Sequence, residues 1–317
     1  MGSCTLERYR LAFSSYDGVF VDEAQAIPEI GRALKLLVDG LPHLKVIATG
    51  TSAFRLDQEV GQPLTGRRTI RQLFPVGCPE LRAWRGPLAL DGLLEDLLIY
   101  GSYPQVLMTG DPAARGESLL QLVNDYLFQD ILSFERLRDP RKLRELLILI
   151  AHQIGKEVSL NELATTLQLN RGTVERYLDL LEKYFVVYRI DGFSRNLRKE
   201  ITKSARYFFV DTGIRNGVLE AFQPLRLRSD TGALFENFFI NERIRQNEYA
   251  RLGRKGYFWR THDQQEIDWV ELDIANNVQA FECKWQQRKY KPPFGWQRTY
   301  PDSPVHLVHR SNFGTFV

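Results

Sequence analysis

The chain is poor in the residue types that build staples and metal knots. Its 317 residues hold 3 cysteines, Cys4, Cys78 and Cys283, spread along the chain without a CxxC pair. Neither a disulfide framework nor a cysteine zinc site can be assembled from them, and a reducing, cytoplasmic setting suits the chain. Histidines number 5. His306 and His309 share a His-x-x-His spacing, but with neither cysteine nor a further acid nearby they read as structural. Long apolar runs are missing too. The longest, Leu146 to Ala151, has six residues, whereas a membrane span needs about 20. No charged-then-apolar leader opens the chain, and Leu6 stands where a myristoylation signal needs Ser or Thr. No membrane partner is expected.

An excess of one charge is also lacking, since 42 Lys and Arg against 39 Asp and Glu leave +3. The distribution is uneven, however. From Arg136 to Arg144 five basic residues face one acid, from Arg189 to Arg206 six face two, and from Arg288 to Arg298 four face none. Tyr290, Phe294 and Trp296 are interleaved in the last run, a pattern that a nucleic-acid backbone attracts. Each cluster alone also reads as a solvated surface.

The first segment predicts a strand, a helix and a strand. Val19-Phe20-Val21 ends at Asp22 and Glu23, Pro28 opens a helical pattern through Ile30, Leu34, Leu37 and Val38, and Gly40 stops it. Val46-Ile47-Ala48 then ends in Thr49-Gly50-Thr51-Ser52, so a parallel unit aims two strand ends at polar residues. At such an end Asp22 can hold Mg²⁺ through water and Glu23 can polarise an attacking water. Thr49, Thr51 and Ser52 would bring hydroxyls to the same edge. The plainer reading is two acids capping the next helix.

Residues from about 90 to 135 read as helical, with a break at Gly101-Ser102-Tyr103-Pro104. Three more helix patterns follow: Leu143 to Ile154, then Leu163 to Leu169 opened by Ser159 and Glu162, then a helix capped by Asn170 and running through Tyr184. That is helix-turn-helix spacing, with Arg171, Thr173, Arg176 and Tyr177 offered to a major groove. The strand-like runs 186–190 and 205–210 flank a basic loop in which Arg195, Arg198, Lys199 and Lys203 stand where a wing would hold phosphates. Such modules also serve purely for packing.

The last hundred residues predict a helix from Gly232 to Ile244 and strands at 257–260, 266–272 and 278–285, with a hairpin turn near Asn276-Asn277. Glu282 and Lys284 alternate onto one strand face. A two-residue turn sends Asp268 to the opposite face. A three-residue loop, 275–277 with an Asn in the left-handed region, sets it across from Lys284 and diagonal to Glu282. Glu236 on the preceding helix is a fourth candidate. Two carboxylates on a divalent cation with a lysine beside them make a workable phosphodiester-cleaving site. The alternative is an exposed hairpin with cross-strand ion pairs.

Together these pieces resemble a family, the AAA-type ATPases whose core is followed by a winged-helix region and a nuclease-like tail. VFVDEAQAIP is similar to its Walker B strand, VIATGTS to its sensor strand and PLTGRR to its arginine-bearing motif. GSYPQVL, TVERYLDLLEKYFVVYRI, YFFVDTGIRNGVL, GALFENFFINE, FWRTHDQQEIDWV and FECKW resemble its later motifs in order, the last two carrying a PD-(D/E)xK nuclease pattern. The resemblance implies an α/β fold: a partial parallel-sheet ATPase core over 1–88, a helical lid and winged helix over 89–215, and an α/β nuclease-like domain over 216–317. It implies ATP and Mg²⁺ as cofactors, with Asp22, Thr49, Thr51 and Ser52 at the nucleotide and Glu23 and Arg67 in catalysis, Arg68 being a second candidate for the arginine finger. Mg²⁺ or Mn²⁺ would belong at Glu236, Asp268 and Glu282.

One element of the family is missing from these residues. No GxxxxGK[ST] loop occurs, and the only Gly-Lys pair, Gly155-Lys156, is followed by Glu157. Without backbone NH groups to cradle the β- and γ-phosphates, ATP hydrolysis by the chain as written should be impaired. Pro75 to Leu81 also departs from the family's usual Pro-Leu-Ser-Phe element. The expected function is therefore an ATP-binding, AAA-type protein acting on or near DNA. The alternatives are a metal-dependent nuclease and a non-catalytic DNA-binding protein. An arginine finger often works across a subunit boundary, which leaves a homo-oligomer open.

Overall fold

The computed structural model describes residues 5–50, 64, 66–125, 139–194, 205–261 and 263–317. Thr51, Ser52, Arg195, Arg198, Lys199 and Lys203, named above as candidates, lie outside the described residues. Two compact units are present, Met1–Gln72 with Lys183–Phe185, and Leu73–Glu182 with Val186–Val317.

The first unit runs α1 (Leu6–Phe13), β1 (Gly18–Val21), α2 (Ile30–Gly40) and β2 (Lys45–Ala48). The strands pair in parallel, Val19 beside Val46 and Val21 beside Ala48. Parallel pairing needs a crossover, and α2 supplies it. Its Ile30, Ala33, Leu34 and Leu37 recur at helical spacing and form one core with Tyr9, Leu41 and Leu44. Phe20 and Ile47, adjacent on the other face, are exposed.

The second unit begins with α3 (Cys78–Arg85), α4 (Ala89–Tyr100), α5 (Pro104–Met108) and α6 (Pro112–Leu122). Next come α7 (Pro140–His152), β3 (Glu157–Val158), α8 (Leu160–Leu167), α9 (Arg171–Lys183), β4 (Val187–Ile190) and β5 (Ala205–Phe209). The expected caps are made: the Glu162 N–H donates to Ser159 Oγ at 3.3 Å and the Thr173 N–H to Asn170 Oδ1 at 2.7 Å. Strands β3, β5 and β4 form an antiparallel sheet in that order.

The break at Gly101-Ser102 has a long-range cause. Asp211, at the start of α10 (Thr212–Val218), accepts the Ser102 N–H at 2.8 Å and the N–H groups of Gly213 and Ile214 at 2.8 and 3.2 Å. Gly101 has φ +71, and a Cβ there would lie 1.8 Å from Asp211 Oδ1, so only glycine fits. Two of the motifs noted in the sequence, GSYP and VDTG, are thus halves of one buried clamp. Arg245 extends it, donating to Ser102 Oγ at 3.2 Å and to Glu242 Oε1 at 2.7 Å.

The chain ends with α11 (Thr231–Tyr249), β6 (Lys255–Arg260), β7 (Glu266–Leu272), β8 (Val278–Cys283), α12 (Phe294–Thr299) and β9 (Val305–Val308). Its sheet has the order β6-β7-β8-β9, antiparallel except for β9 beside β8. Helix α11 continues past Ile244 to Tyr249, and β9 was not anticipated. Arg243 ties α11 to β7. It grips the buried Glu271 of β7 with two hydrogen bonds of 2.6 Å each. Among the described residues no helix is long and apolar enough to cross a membrane.

Candidate functional site

The hairpin between β7 and β8 fixes the C-terminal site. Asp273 N–H donates to the Asn277 carbonyl at 3.0 Å, and the Asp273 carboxylate accepts the Asn277 N–H at 2.8 Å. The loop closed by these bonds is Ile274-Ala275-Asn276, with Asn276 in the left-handed region at φ 64. Of the two turns the sequence left open, this is the three-residue loop with its left-handed Asn, but it lies one residue earlier than 275–277. With Trp269 paired to Phe281, the register sets Asp268 opposite Glu282 and diagonal to Lys284, the reverse of the pairing a loop at 275–277 would give. Asp268 stays on the same face as both. Strand β8 also stops at Cys283, leaving Lys284 just beyond it, where its N–H donates to the Val308 carbonyl at 2.8 Å.

Asp268 and Glu282 are buried, and Lys284 links them, its Nζ lying 2.5 Å from Glu282 Oε1 and 3.7 Å from Asp268 Oδ2. The Cys283 N–H donates to Asp268 Oδ2 at 2.8 Å. Glu236 reaches the cluster from α11. Behind its carboxylate lies Gly155 at φ +74, where a Cβ would sit 3.3 Å from Glu236 Oε2. Arg206 of β5, which the sequence reading did not single out, joins the group. Its guanidinium is 3.6 Å from Glu236 Oε1 and 2.9 Å from Glu266 Oε2.

Acids outnumber bases in this cluster, and their ionisation shows it. Burial first, then the Asp268 carboxylate, push Glu236 well above the ordinary carboxyl range. Burial raises Asp268 against the opposing pull of Lys284 and the Cys283 N–H. Burial and Asp268 carry Glu282 up to about 7 in spite of Lys284. Although burial works against its charge, Lys284 is held above its usual value by Asp268 and Glu282. Tyr290, read in the sequence only as an aromatic of the basic run, has a phenol raised by burial, Glu282 and Asp268. Three buried oxygens here, Glu236 Oε1, Glu282 Oε2 and Tyr290 Oη, have no hydrogen-bond partner. Among the described residues no group of three His, Cys, Asp or Glu side chains is spaced to hold a metal ion as it stands.

The strand ends of the first unit come together as expected in part. Thr49 Oγ1 donates to Asp22 Oδ1 at 2.5 Å, and the Glu23 N–H donates to Thr49 Oγ1 at 3.3 Å. Glu23, at φ 47, accepts a hydrogen bond from Gln25 Nε2. Asp22 and Glu23 are exposed and do not cap α2, which starts seven residues after Glu23. Arg67 pairs with Asp39 of α2.

On α9, Arg171 and Arg176 are exposed, Arg171 being paired with Glu175 at 2.9 Å. Tyr177 is a correction. It is buried, and its hydroxyl donates to the Asp139 carbonyl at 3.4 Å, because it falls on the inward face with Val174, Leu178 and Leu181. It is not available to a groove. His306 packs on Phe281 and Phe316, and His309 is buried, its Nδ1 accepting the Ser311 N–H.

Comparison with known families places the first unit. Residues 5–82 match the AAA domain, which supports an AAA-like, ATPase-type protein, a class that in general binds ATP and Mg²⁺. Residues 91–225 match a domain of unknown function, DUF8612, and residues 231–295 another, DUF4143.

Among curated proteins, an uncharacterized protein of Haemophilus influenzae is 25% identical over 272 residues, 83% of this chain and 62% of the relative. One of Mycobacterium tuberculosis is 25% identical over 281 residues, covering 86% of this chain and 60% of the relative. One of Methanocaldococcus jannaschii is 23% identical over 230 residues, covering 63% and 48%. The chain thus spans 62% or less of the length of these relatives. No solved structure matches the chain.

Proposed function

We propose that this AAA-like chain acts on DNA, and that Asp268, Glu282 and Lys284, with Glu236 behind them, form a divalent-cation-dependent phosphodiester site of the PD-(D/E)xK kind. The observation that carries the reading is the convergence of Asp268, Glu282 and Lys284 at one end of the β7–β8 pair. A surface ion pair would not need it. Burying several acids against too few bases is costly unless a further cation or a proton is supplied.

The donor chemistry fits a hard cation. Glu236 Oε1 and Glu282 Oε2 are buried carboxylate oxygens without a hydrogen-bond donor, and oxygen ligands of this type suit Mg²⁺ or Mn²⁺. Asp268 and Glu282 would hold the ion, with Glu236 as a third ligand. When bound, the ion would supply Lewis acidity at a phosphate oxygen. Lys284 supplies a fixed positive charge for the phosphate, and the Cys283 N–H orients Asp268.

Titrating the protein with Mn²⁺ and following the loss of the free-ion paramagnetic signal tests this. Wild type should take up the ion, and Asp268→Ala and Glu282→Ala should not. Equal uptake by all three would rule the site out.

DNA as partner is favoured by the succession of α7, α8 and α9 with the β3-β5-β4 sheet, the elements a winged helix is built from, and by Arg171, Thr173 and Arg176 at the start of α9. Arg195, Arg198 and Lys199 would add phosphate contacts. A nucleotide site at Asp22, Glu23, Thr49, Thr51 and Ser52 is favoured by the Asp22–Thr49 hydrogen bond. Without a phosphate loop in these residues, ATP should bind weakly and turn over poorly. Arg67 would serve as a finger only after leaving Asp39.

A further inference from the structure

The basic run that follows Lys284 is not used by the phosphodiester site. Arg288, Lys289, Lys291 and Arg298 are all exposed, and no acid lies between the first and the last. The segment is tied down at two points, one near the carboxylates and one at the strand end that leads to Asp268. Near its start Tyr290 turns its phenol inward, where the oxygen is buried among charges that include Glu282 and Asp268. Near its end the Gly295 N–H donates to Gln265 Oε1 at 2.8 Å, and Trp296 is fully buried against Phe193, Trp259 and Tyr300.

Gln265 directly precedes β7, three residues before Asp268. Phe294, next to Gly295, therefore sits at the same end of the sheet as Asp268 and Glu282. Its ring is not part of the core: Phe294 is 69% exposed, with the Arg298 guanidinium carbon 5.8 Å from the ring centroid. Its rigid neighbours hold a wet aromatic face outward, backed by an arginine and preceded by three more cations. Such a face gains by stacking on a base, and the cations gain by releasing the counterions of phosphates. A duplex offers no unstacked base to a ring on the surface, whereas a single strand does.

We propose that residues 288–298 form a track for single-stranded DNA, in which Phe294 stacks on a base and Arg288, Lys289, Lys291 and Arg298 hold the phosphates, leading the strand past Tyr290 to the carboxylate–lysine cluster. The track's destination rests on the phosphodiester reading. Its binding does not.

Fluorescence anisotropy of a labelled oligo-dT and of a hairpin duplex of equal length, with the full chain in EDTA, tests the track without cleavage. Phe294→Ala should weaken single-strand binding about tenfold and leave the duplex unchanged, while Phe294→Trp should restore it. Replacing Arg288, Lys289 and Lys291 by Ala should lower the slope of log affinity against log salt by about 2. The changed side chains are exposed, so folding is not at stake. Single-strand binding that is insensitive to both changes overturns the track. Intact oligo-dT binding without metal-dependent cleavage would support the track and sink only the phosphodiester reading, and cleavage with unaltered binding in Phe294→Ala would do the reverse.

Discussion

Lys284 Nζ lies 2.5 Å from Glu282 Oε1 and 3.7 Å from Asp268 Oδ2, so one ammonium serves two buried acids. Removing it leaves the acids facing each other. Lys284→Met should destabilise the fold by about 2–3 kcal/mol at neutral pH, the cost of unpairing buried charge. Urea denaturation reads it. Millimolar Mn²⁺ should recover part of the loss, because a divalent cation can replace the missing charge.

Glu282 sets a pH dependence. Its carboxyl is raised from 4.5 to about 7, so between those values the folded protein holds a proton that the unfolded chain releases. Stability conferred by this group is therefore present below pH 4.5 and is lost as pH rises toward 7. Glu282→Gln, which keeps the shape and removes the titration, should raise the melting temperature relative to wild type at about pH 8 and make little difference at about pH 5. An unchanged difference across that range would mean that Glu282 does not titrate there.

The Asp211 clamp should matter more than its distance from either candidate site implies. Asp211→Ala leaves the Ser102, Gly213 and Ile214 N–H groups buried and unpaired. A loss of about 3 kcal/mol in urea denaturation is expected, since each orphaned donor costs about 1 kcal/mol or more. Asp211→Asn should recover part of it. Gly101→Ala should be comparably damaging because its added Cβ meets Asp211.

If α9 reads DNA, Arg171→Ala with Arg176→Ala should weaken duplex binding and lower its salt slope by about 2. Thr173→Ala should alter discrimination among sequences more than affinity. Duplex binding that ignores all three would make these helices a packing module.

Local features were legible in the sequence, and long-range ones were not. The paired strands of the first unit, the caps at Ser159 and Asn170, and the helices of the described residues between Ala89 and Leu122 and between Pro140 and Lys183 follow from periodicity and cap chemistry within about ten residues. Placing Asp268 required a register, and the Asn276-Asn277 pair drew the loop one residue too late. What set it was Asp273, whose carboxylate binds Asn277.

Arg206, Tyr290 and Gly155 belong to the cluster by folding alone. Arg206 stands 30 residues before Glu236 and 60 before Glu266, with no sequence pattern linking them. Tyr177 misled for the opposite reason, since an aromatic beside Arg176 reads as groove-facing until the Val174, Leu178 and Leu181 stripe is counted.

The most direct test of the account is DNA cleavage by the purified chain in Mg²⁺ or Mn²⁺, compared with Glu282→Ala and Lys284→Ala. Wild type should cleave, either variant should cleave about a hundredfold less or worse, and DNA binding should survive in both. Equal cleavage by all three proteins, or none by wild type with either ion, would contradict it.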